Sequence, residues 1–348
     1  MYLALRIFLL LCFLLETHLL TQENISTNTI TINAVGDVLF NERLCKLEIE
    51  RFSEVKNLLQ TNQPDIILCN LEGPITTLET PFEKYIKNQK KFLFKMPPQS
   101  IEILKFLGFN VITYANNHIM DYGIDGLNET KELLSKNNIF NTGSRNEYIS
   151  LQINNLKVAI LAFSWISYSN NYNEPSFALN LIKKAKKEND IVVISIHAGK
   201  EGENAEEIPL EEDEIFLGEN RGNIYKFSKK AIDSGADLII GHGPHILRGI
   251  EIYKNRLILY SLGNFIAPEM SLDKFKKYSA VASIVLNSRG EFVSGKIIPC
   301  IIQTNNLYGI PKYDEKKRAI SKINELTEKN FPHHNVKIKL DGTIIKLE

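Results

Sequence analysis

Residues 237–247 read DLIIGHGPHIL, and the fold turns on them. Leu238, Ile239 and Ile240 make a continuous apolar run, β-branched at two of its three positions, as expected of a strand covered on both faces. The run stops at Gly241, and His242 and His245 follow with Gly243 and Pro244 between them. Glycine widens the backbone's choices and proline narrows them, so two imidazoles set among such residues at a strand end read as groups held for a geometric purpose.

The same pattern repeats on both sides of this stretch. TITINAVG from 29, DIILCN from 65, NVITYAN from 110, LKVAILAFS from 156, DIVVISIHAG from 190 and RLILYSLGN from 256 are short apolar runs rich in β-branched residues. Helix candidates lie between several of them, at 45–60, 100–107, 126–136, 180–187 and 223–234, two of which end in GFN and SGAD, where a glycine closes the helix. The alternation predicts an α/β fold. The pieces 151–154 and 156–164 read as a hairpin, which makes the sheets mixed. From 278 the chain turns β-rich, then carries a helical piece near 316–329 and a hairpin over VKIKLDGTIIKLE with Asp341-Gly342 at its turn. With no repeat and no proline-rich boundary, one domain over 29–303 is expected, with 304–348 as a helix and β-hairpin extension packed on it.

Composition sets further bounds. The chain has 348 residues, 44% of them hydrophobic, enough for a sizeable core. Lysine plus arginine and aspartate plus glutamate both number 41, which gives no basic field and argues against a nucleic-acid partner. At the N-terminus, MYLALRIFLLLCFLLETHLL places Arg6 before the apolar run 7–15, the form of an export signal or N-terminal membrane anchor over 1–24. No small-x-small cleavage site follows, and Cys12 lies inside the apolar run. Cys45, Cys69 and Cys300 are scattered and form no CxxC pair, which points away from a disulfide framework and toward buried thiols. No GxSxG occurs, and nothing suggests a serine or cysteine nucleophile.

Polar residues with metal-binding chemistry sit where the apolar runs end: Asp37; Asn70 and Glu72; Asn116, Asn117 and His118; His197 and Glu201; His242 and His245; and Asn264. Four of the seven histidines fall in these places, a clustering that scattered surface histidines would not show. Ligands of α/β sheets bind beyond the carboxyl ends of the strands, so all these residues are expected at one crevice. Imidazoles, carboxylates and an amide oxygen suit one or two divalent ions, manganese, zinc or iron, and two such ions can activate a water. A histidine outside the metal shell can protonate a leaving group.

GDVLF, NLEGPIT, ANNHIMDYG, IHAGKE, GADLIIGHGPHIL and YSLGNFI, in this order from 36 to 266, closely resemble the capsule-synthesis CapA family of poly-γ-glutamate biosynthesis proteins. The resemblance covers nearly all of 30 to about 300. That family looks related to the calcineurin-like metallophosphoesterases, which implies a metallophosphatase-like four-layer α/β sandwich with mixed central sheets and a dinuclear metal site. It assigns Asp37 and His245 to a first metal, Glu72 to the bridging carboxylate, Asn117, His197 and His242 to a second metal, and His118 to the general acid or to an orienting residue beside the substrate. Asn70, Asn116, Glu201 and Asn264 are then expected to position substrate. Two departures stand out: Leu39 occupies the place of the phosphoesterase motif's histidine, and NLE replaces a motif with an aspartate.

The resemblance implies an exported or membrane-anchored role in poly-γ-glutamate capsule synthesis or export, on the outer face of the cytoplasmic membrane or in the periplasm. Its expected partners are the capsule polymer or another envelope substrate, and synthase and transport proteins in the same membrane. A metal-dependent phosphoesterase or amide hydrolase acting on an envelope polymer, and a binding or scaffold module, are the alternatives. The acidic run KEGENAEEIPLEEDEIFLGENRG over 200–222 reads as a solvated face or mobile loop that repels a polyanion. Lys84, Lys87, Lys90, Lys91 and Lys95 read first as ordinary surface, and are the cations that would meet such a polymer if it binds.

Overall fold

The computed structural model describes residues 28–83, 92–202, 204–270 and 274–347. The expected export segment at 1–24 with Cys12, Lys84, Lys87, Lys90, Lys91 and Glu203 lie outside the described residues.

Two large sheets organise the chain. The first runs in the order Pro311–Tyr313, Phe292–Ile302, Tyr278–Asn287, Thr29–Val38, Ile66–Leu71, Val111–Thr113 and Phe140–Thr142, with Asn264–Ile266 also beside Thr29–Val38. From Thr29–Val38 to Phe140–Thr142 the strands are parallel, whereas the three at the other edge are antiparallel. The second sheet runs Ile250–Tyr253, Arg256–Leu259, Leu238–His242, Ile191–His197, Leu156–Ser164 and Ile149–Ile153, parallel in its centre and antiparallel at both outer pairs.

Strand alternation builds the layers. Ile30, Ile32, Ala34, Ile66 and Leu68 of the first sheet and Val158, Ile160, Ile191, Val193, Leu238 and Ile240 of the second share one buried cluster, so the sheets pack face to face. The intervening positions point outward. Val35, Ile67 and Cys69 meet Leu104 and Leu107 of the helix Ser100–Leu107, while Val192, Ile194 and Ile239 meet Ile182 and Phe227 of the helices Pro175–Glu188 and Ile224–Asp233. The result is a four-layer sandwich of helix, sheet, sheet and helix. Each fully buried aliphatic side chain contributes roughly 1.5–3 kcal/mol through the hydrophobic effect, and the inter-sheet layer is built almost wholly of such residues.

Local chemistry explains the helix ends. Ser100–Leu107 stops at Gly108, whose φ of 84° is the left-handed closure that glycine takes without cost. Ile224–Asp233 starts where the Asn223 side chain accepts the Lys226 N–H at 2.7 Å. The helix expected over 45–60 is instead broken into Glu42–Cys45, a 3₁₀ turn Ile49–Phe52 and Ser53–Leu59. Glu48 takes a ψ of 134°, which no α-helix accommodates, and the break lets both Leu44 and Phe52 reach the core.

The last segment belongs to the same body. Pro311–Tyr313 extends the first sheet, the helix Arg318–Asn330 places Ala319, Ile320 and Ile323 in the inter-sheet cluster, and Val336–Ile338 pairs with Ile344–Lys346 around Gly342. The three described cysteines are unpaired, with Cys69 and Cys300 buried.

Glu211, Glu212, Asp213 and Glu219 of the acidic run are exposed as a solvated face, but one carboxylate of the run is built into the interior. Glu214 is buried and takes both guanidinium nitrogens of the fully buried Arg248, at 2.9 and 2.5 Å. Arg221 is also buried, stacked between the rings of Trp165 and Phe216 at 4.3 and 4.6 Å. Burial of one residue in an acidic run depends on a cation placed by a distant part of the chain, which local charge counting cannot reveal.

Candidate metal centre

The site is the polar end of the inter-sheet core. Along Ile191–His197, positions 191 and 193 face the other sheet, so Ser195 and His197 continue the same face; along Leu238–His242, Leu238 and Ile240 are followed by His242. His197 and His242 are register partners. In Ile66–Leu71 the same face carries Ile66, Leu68 and then Asn70. Just below this polar layer, Thr113 and Ser195 join the sheets through their hydroxyls at 2.7 Å.

Asp37 reaches this face through a bulge. Ala34 is in register with Leu68 and Asp37 with Asn70, so the strand spends three steps where its neighbour spends two. The extra residue turns Asp37 inward. Gly36 permits it, since a Cβ there would lie 1.8 Å from the Gly263 carbonyl oxygen. Asn264 is in register with Asp37 on the other side, so Asn70, Asp37 and Asn264 form a row across three parallel strands.

His245 has a φ of 60°, an uncommon conformation for a residue with a Cβ, after Gly243 at 112°. A side chain at Gly243 would meet the Ala198 carbonyl oxygen at 2.8 Å, so the turn packs directly on the strand end that carries His197. This is the physical content of the GHGPH sequence.

Hydrogen bonds join the row to the imidazoles. Asn70 Nδ2 lies 2.8 Å from Asp37 Oδ1, 2.6 Å from Glu72 Oε2 and 3.3 Å from His197 Nδ1. His197 Nδ1 is 3.4 Å from Glu72 Oε2 and 3.8 Å from Asp37 Oδ1. His245 Nδ1 pairs with Asp37 Oδ2 at 3.0 Å, and its Nε2 is 3.6 Å from Glu201, which Arg221 holds at 2.7 Å. Beside the cluster, His118 Nδ1 pairs with Asp121 Oδ2 at 2.7 Å, and its ring lies 4.2 Å from that of Phe94.

Electrostatics differentiate the groups. Burial opposes ionisation of Asp37, but the His245 hydrogen bond and the neighbouring imidazoles outweigh it and hold the carboxyl well below the usual range. Burial and then the Asp37 charge push Glu72 well above its ordinary value. Burial drives His197 down and His242 to about 4, so both are neutral, as ligand imidazoles must be. Burial also opposes the charge on His245, but Asp37 and Glu201 overcome it and raise it to about 9.

The residues fit a divalent cation. Asp37, Glu72 and His197 each offer a ligand atom within 4.8 Å of the others, and all three are buried. Glu72 Oε1, His197 Nε2, both nitrogens of His242 and both amide atoms of Asn264 are buried with no protein hydrogen bond. Two carboxylates and an imidazole are a donor set for manganese, zinc or iron.

Residues 31–269 match the family described as bacterial capsule synthesis protein PGA_cap. The chain belongs to that family. This PGA_cap member is 28% identical over 263 residues to the PGA biosynthesis protein CapA of Bacillus subtilis (strain 168), covering 69% of this chain and 64% of that protein, less than two thirds of its length. It is 26% identical over 326 residues to the capsule biosynthesis protein CapA of Bacillus anthracis, covering 86% of this chain and 74% of that one. A probable polyglutamine synthesis accessory protein of Mycobacterium tuberculosis (strain ATCC 25618 / H37Rv) is 25% identical over 242 residues, 62% of this chain and 59% of the relative. Among solved structures, a 5'-nucleotidase precursor from Thermus thermophilus aligns with a TM-score of 0.44 and 13% identity over 83% of this chain and 57% of that one.

In this PGA_cap chain, Asp37, Asn70, Glu72, Asn116, His197, Glu201, His242 and His245 form one connected group, and Asn264 lies beside Asp37. Asn117 is half-buried in the loop between Asn116 and His118. Asp37 is shared between two imidazoles: His245 Nδ1 lies 3.0 Å from its Oδ2, and His197 Nδ1 lies 3.8 Å from its Oδ1 and 3.4 Å from Glu72 Oε2. Asn70 and Asn116, expected to touch substrate, are buried and hydrogen-bonded to other protein groups. Sequence reading missed Asp121, Trp165 and Arg221. Asp121 was findable, three residues after His118 in a turn, whereas Trp165, stacked on His197 at 5.6 Å, and Arg221 arrive from remote segments.

Proposed function

We propose that this chain acts in poly-γ-glutamate capsule synthesis or export, as an exported or membrane-anchored protein whose divalent-metal site is held by Asp37, Glu72 and His197 at the sheet ends. Family membership supports the pathway, and the buried carboxylate–imidazole cluster supports the metal. Among the described residues no helix is long and apolar enough to cross a membrane, and anchoring is assigned to the N-terminal segment. The capsule polymer, and synthase and transport proteins in the same membrane, are the proposed partners.

A second reading, hydrolysis of a phosphoester or amide in an envelope polymer, draws on the His118–Asp121 pair. A divalent cation, when bound, supplies Lewis-acid polarisation of a phosphoryl or carbonyl oxygen. Asp121 fixes the His118 ring through Nδ1 and assigns proton transfer to Nε2, and the Asp121 carboxylate is itself held by the Phe94 N–H at 2.8 Å. Glu201 and Arg221 keep His245 against Asp37, which preserves the shape of the cluster.

The test is genetic and chemical together. Deleting the gene in its own host should remove surface polyglutamate, wild type should restore it, and Glu72→Gln should fail to restore it while its purified protein loses bound manganese or zinc. Unchanged surface polymer on deletion refutes the pathway reading.

A further inference from the structure

The position of Asn70 raises a question that the metal reading alone does not answer. Its amide nitrogen contacts Asp37 Oδ1 at 2.8 Å, Glu72 Oε2 at 2.6 Å and His197 Nδ1 at 3.3 Å, one atom from each of the three residues that could share an ion. The triangle of these atoms has sides of 3.4 and 3.8 Å to His197 Nδ1. An ion that draws on these same atoms contends with the amide hydrogens for their lone pairs.

The amide's orientation is set by a neighbour. Asn116 Oδ1 accepts two backbone N–H groups, from His118 and Ile119, both at 3.0 Å. That fixes Asn116 Nδ2 on the other side, where it donates to the Leu71 carbonyl at 2.7 Å and to Asn70 Oδ1 at 3.1 Å. Turning Asn70 over would set two NH₂ groups against each other, so the network assigns its nitrogen to the cluster. An Asn116 acting this way is a positioning residue.

We infer that Asn70, locked by Asn116, is a built-in competitor for the divalent cation: its amide holds the carboxylates together without an ion and must be displaced when one binds. This rests on the metal reading given above and deepens it. The consequence is a site that forms before loading and binds its ion more weakly than the ligands alone would allow. Asn70 could instead be a ligand through its oxygen, and the two roles predict opposite signs.

The experiment is manganese and zinc titration of the purified full-length chain by calorimetry, with thermal melting in chelator as a second readout. Asn70→Ala removes the competitor and should bind manganese at least tenfold tighter than wild type, while melting lower in chelator because Asp37 Oδ1 and Glu72 Oε2, both buried, each lose the amide donor. Asn70→Leu, close to asparagine in shape but with neither an amide donor nor a ligand oxygen, should also bind tighter, and it serves if Asn70→Ala does not fold. Equal or weaker binding by the variants, with wild type binding, overturns the competitor role and leaves the metal site standing. If neither wild type nor variants bind either ion, the metal reading falls and this inference with it.

Discussion

Arg248→Met should destabilise the chain by about 3–5 kcal/mol, the cost of removing one partner from a buried ion pair. Arg248 is fully buried, gives two nitrogens to Glu214 at 2.9 and 2.5 Å and donates from Nε to the Ala205 carbonyl at 2.7 Å. Methionine fills much of the volume but leaves the carboxylate of Glu214, a residue only 2% exposed, with the Lys200 N–H at 3.0 Å as its remaining hydrogen-bond donor. Set against a typical stability of about 5–15 kcal/mol, that loss is large. Glu214 also pairs through its backbone with Arg221 and Gly222, both at 2.8 Å, so the segment carrying Glu201 and Arg221 should loosen. Urea unfolding gives the stability, and limited proteolysis within 201–222 reports the segment. Arg248→Met combined with Glu214→Leu should recover most of the loss, because no uncompensated charge then stays buried. A single variant within about 1 kcal/mol of wild type, or a double variant no better than the single, refutes the claim that this pair anchors the acidic segment.

Two further outcomes are expected. Gly36→Ala should cost about 3 kcal/mol or more and abolish metal binding, since its Cβ would sit 1.8 Å from a backbone carbonyl and the bulge that aims Asp37 would have to move; a variant that melts and binds as wild type contradicts the bulge argument. In chelator, His242, lowered to about 4 by burial, is protonated first in the unfolded chain, so stability falls as pH drops below about 6.5 toward 4, by about 3 kcal/mol. His245, raised to about 9, contributes stability that is full below about 6.5 and is lost as pH rises through 9. The raised Glu72 carboxyl works against the acid limb, so urea midpoints of His242→Gln against wild type across pH 4–9.5 isolate His242. An acid limb equally steep in both rules out its role.

The local signals in this sequence were strong because they rest on short-range physics. Three-residue apolar runs set the strands, glycine closed the helices at Gly108 and Gly235, and the strand-end positions of Asp37, Glu72, His197, His242 and His245 marked one crevice. Strand alternation also carried information that a closer reading could use, since His197 and His242 continue the inward face of Ile191 and Leu238. The Asp37 bulge was not legible, because it exists only as a mismatch of register with a neighbouring strand.

By itself the sequence determined the α/β alternation and the polar residues set at the strand ends, which follow from periodicity and turn chemistry, while the order of its motifs carried the family resemblance that implied the layers. Only the tertiary structure decided which side chain stands beside which: that His197 shares the carboxylates, that His245 turns toward Glu201, that the Asn70 amide points into the cluster, and that Glu214 is buried on Arg248. The reason is physical. Hydrogen bonds and ion pairs act over about 3–4 Å, and partners such as Asp37 and His245 stand 208 residues apart along the chain, so their pairing is fixed only when the sheets pack.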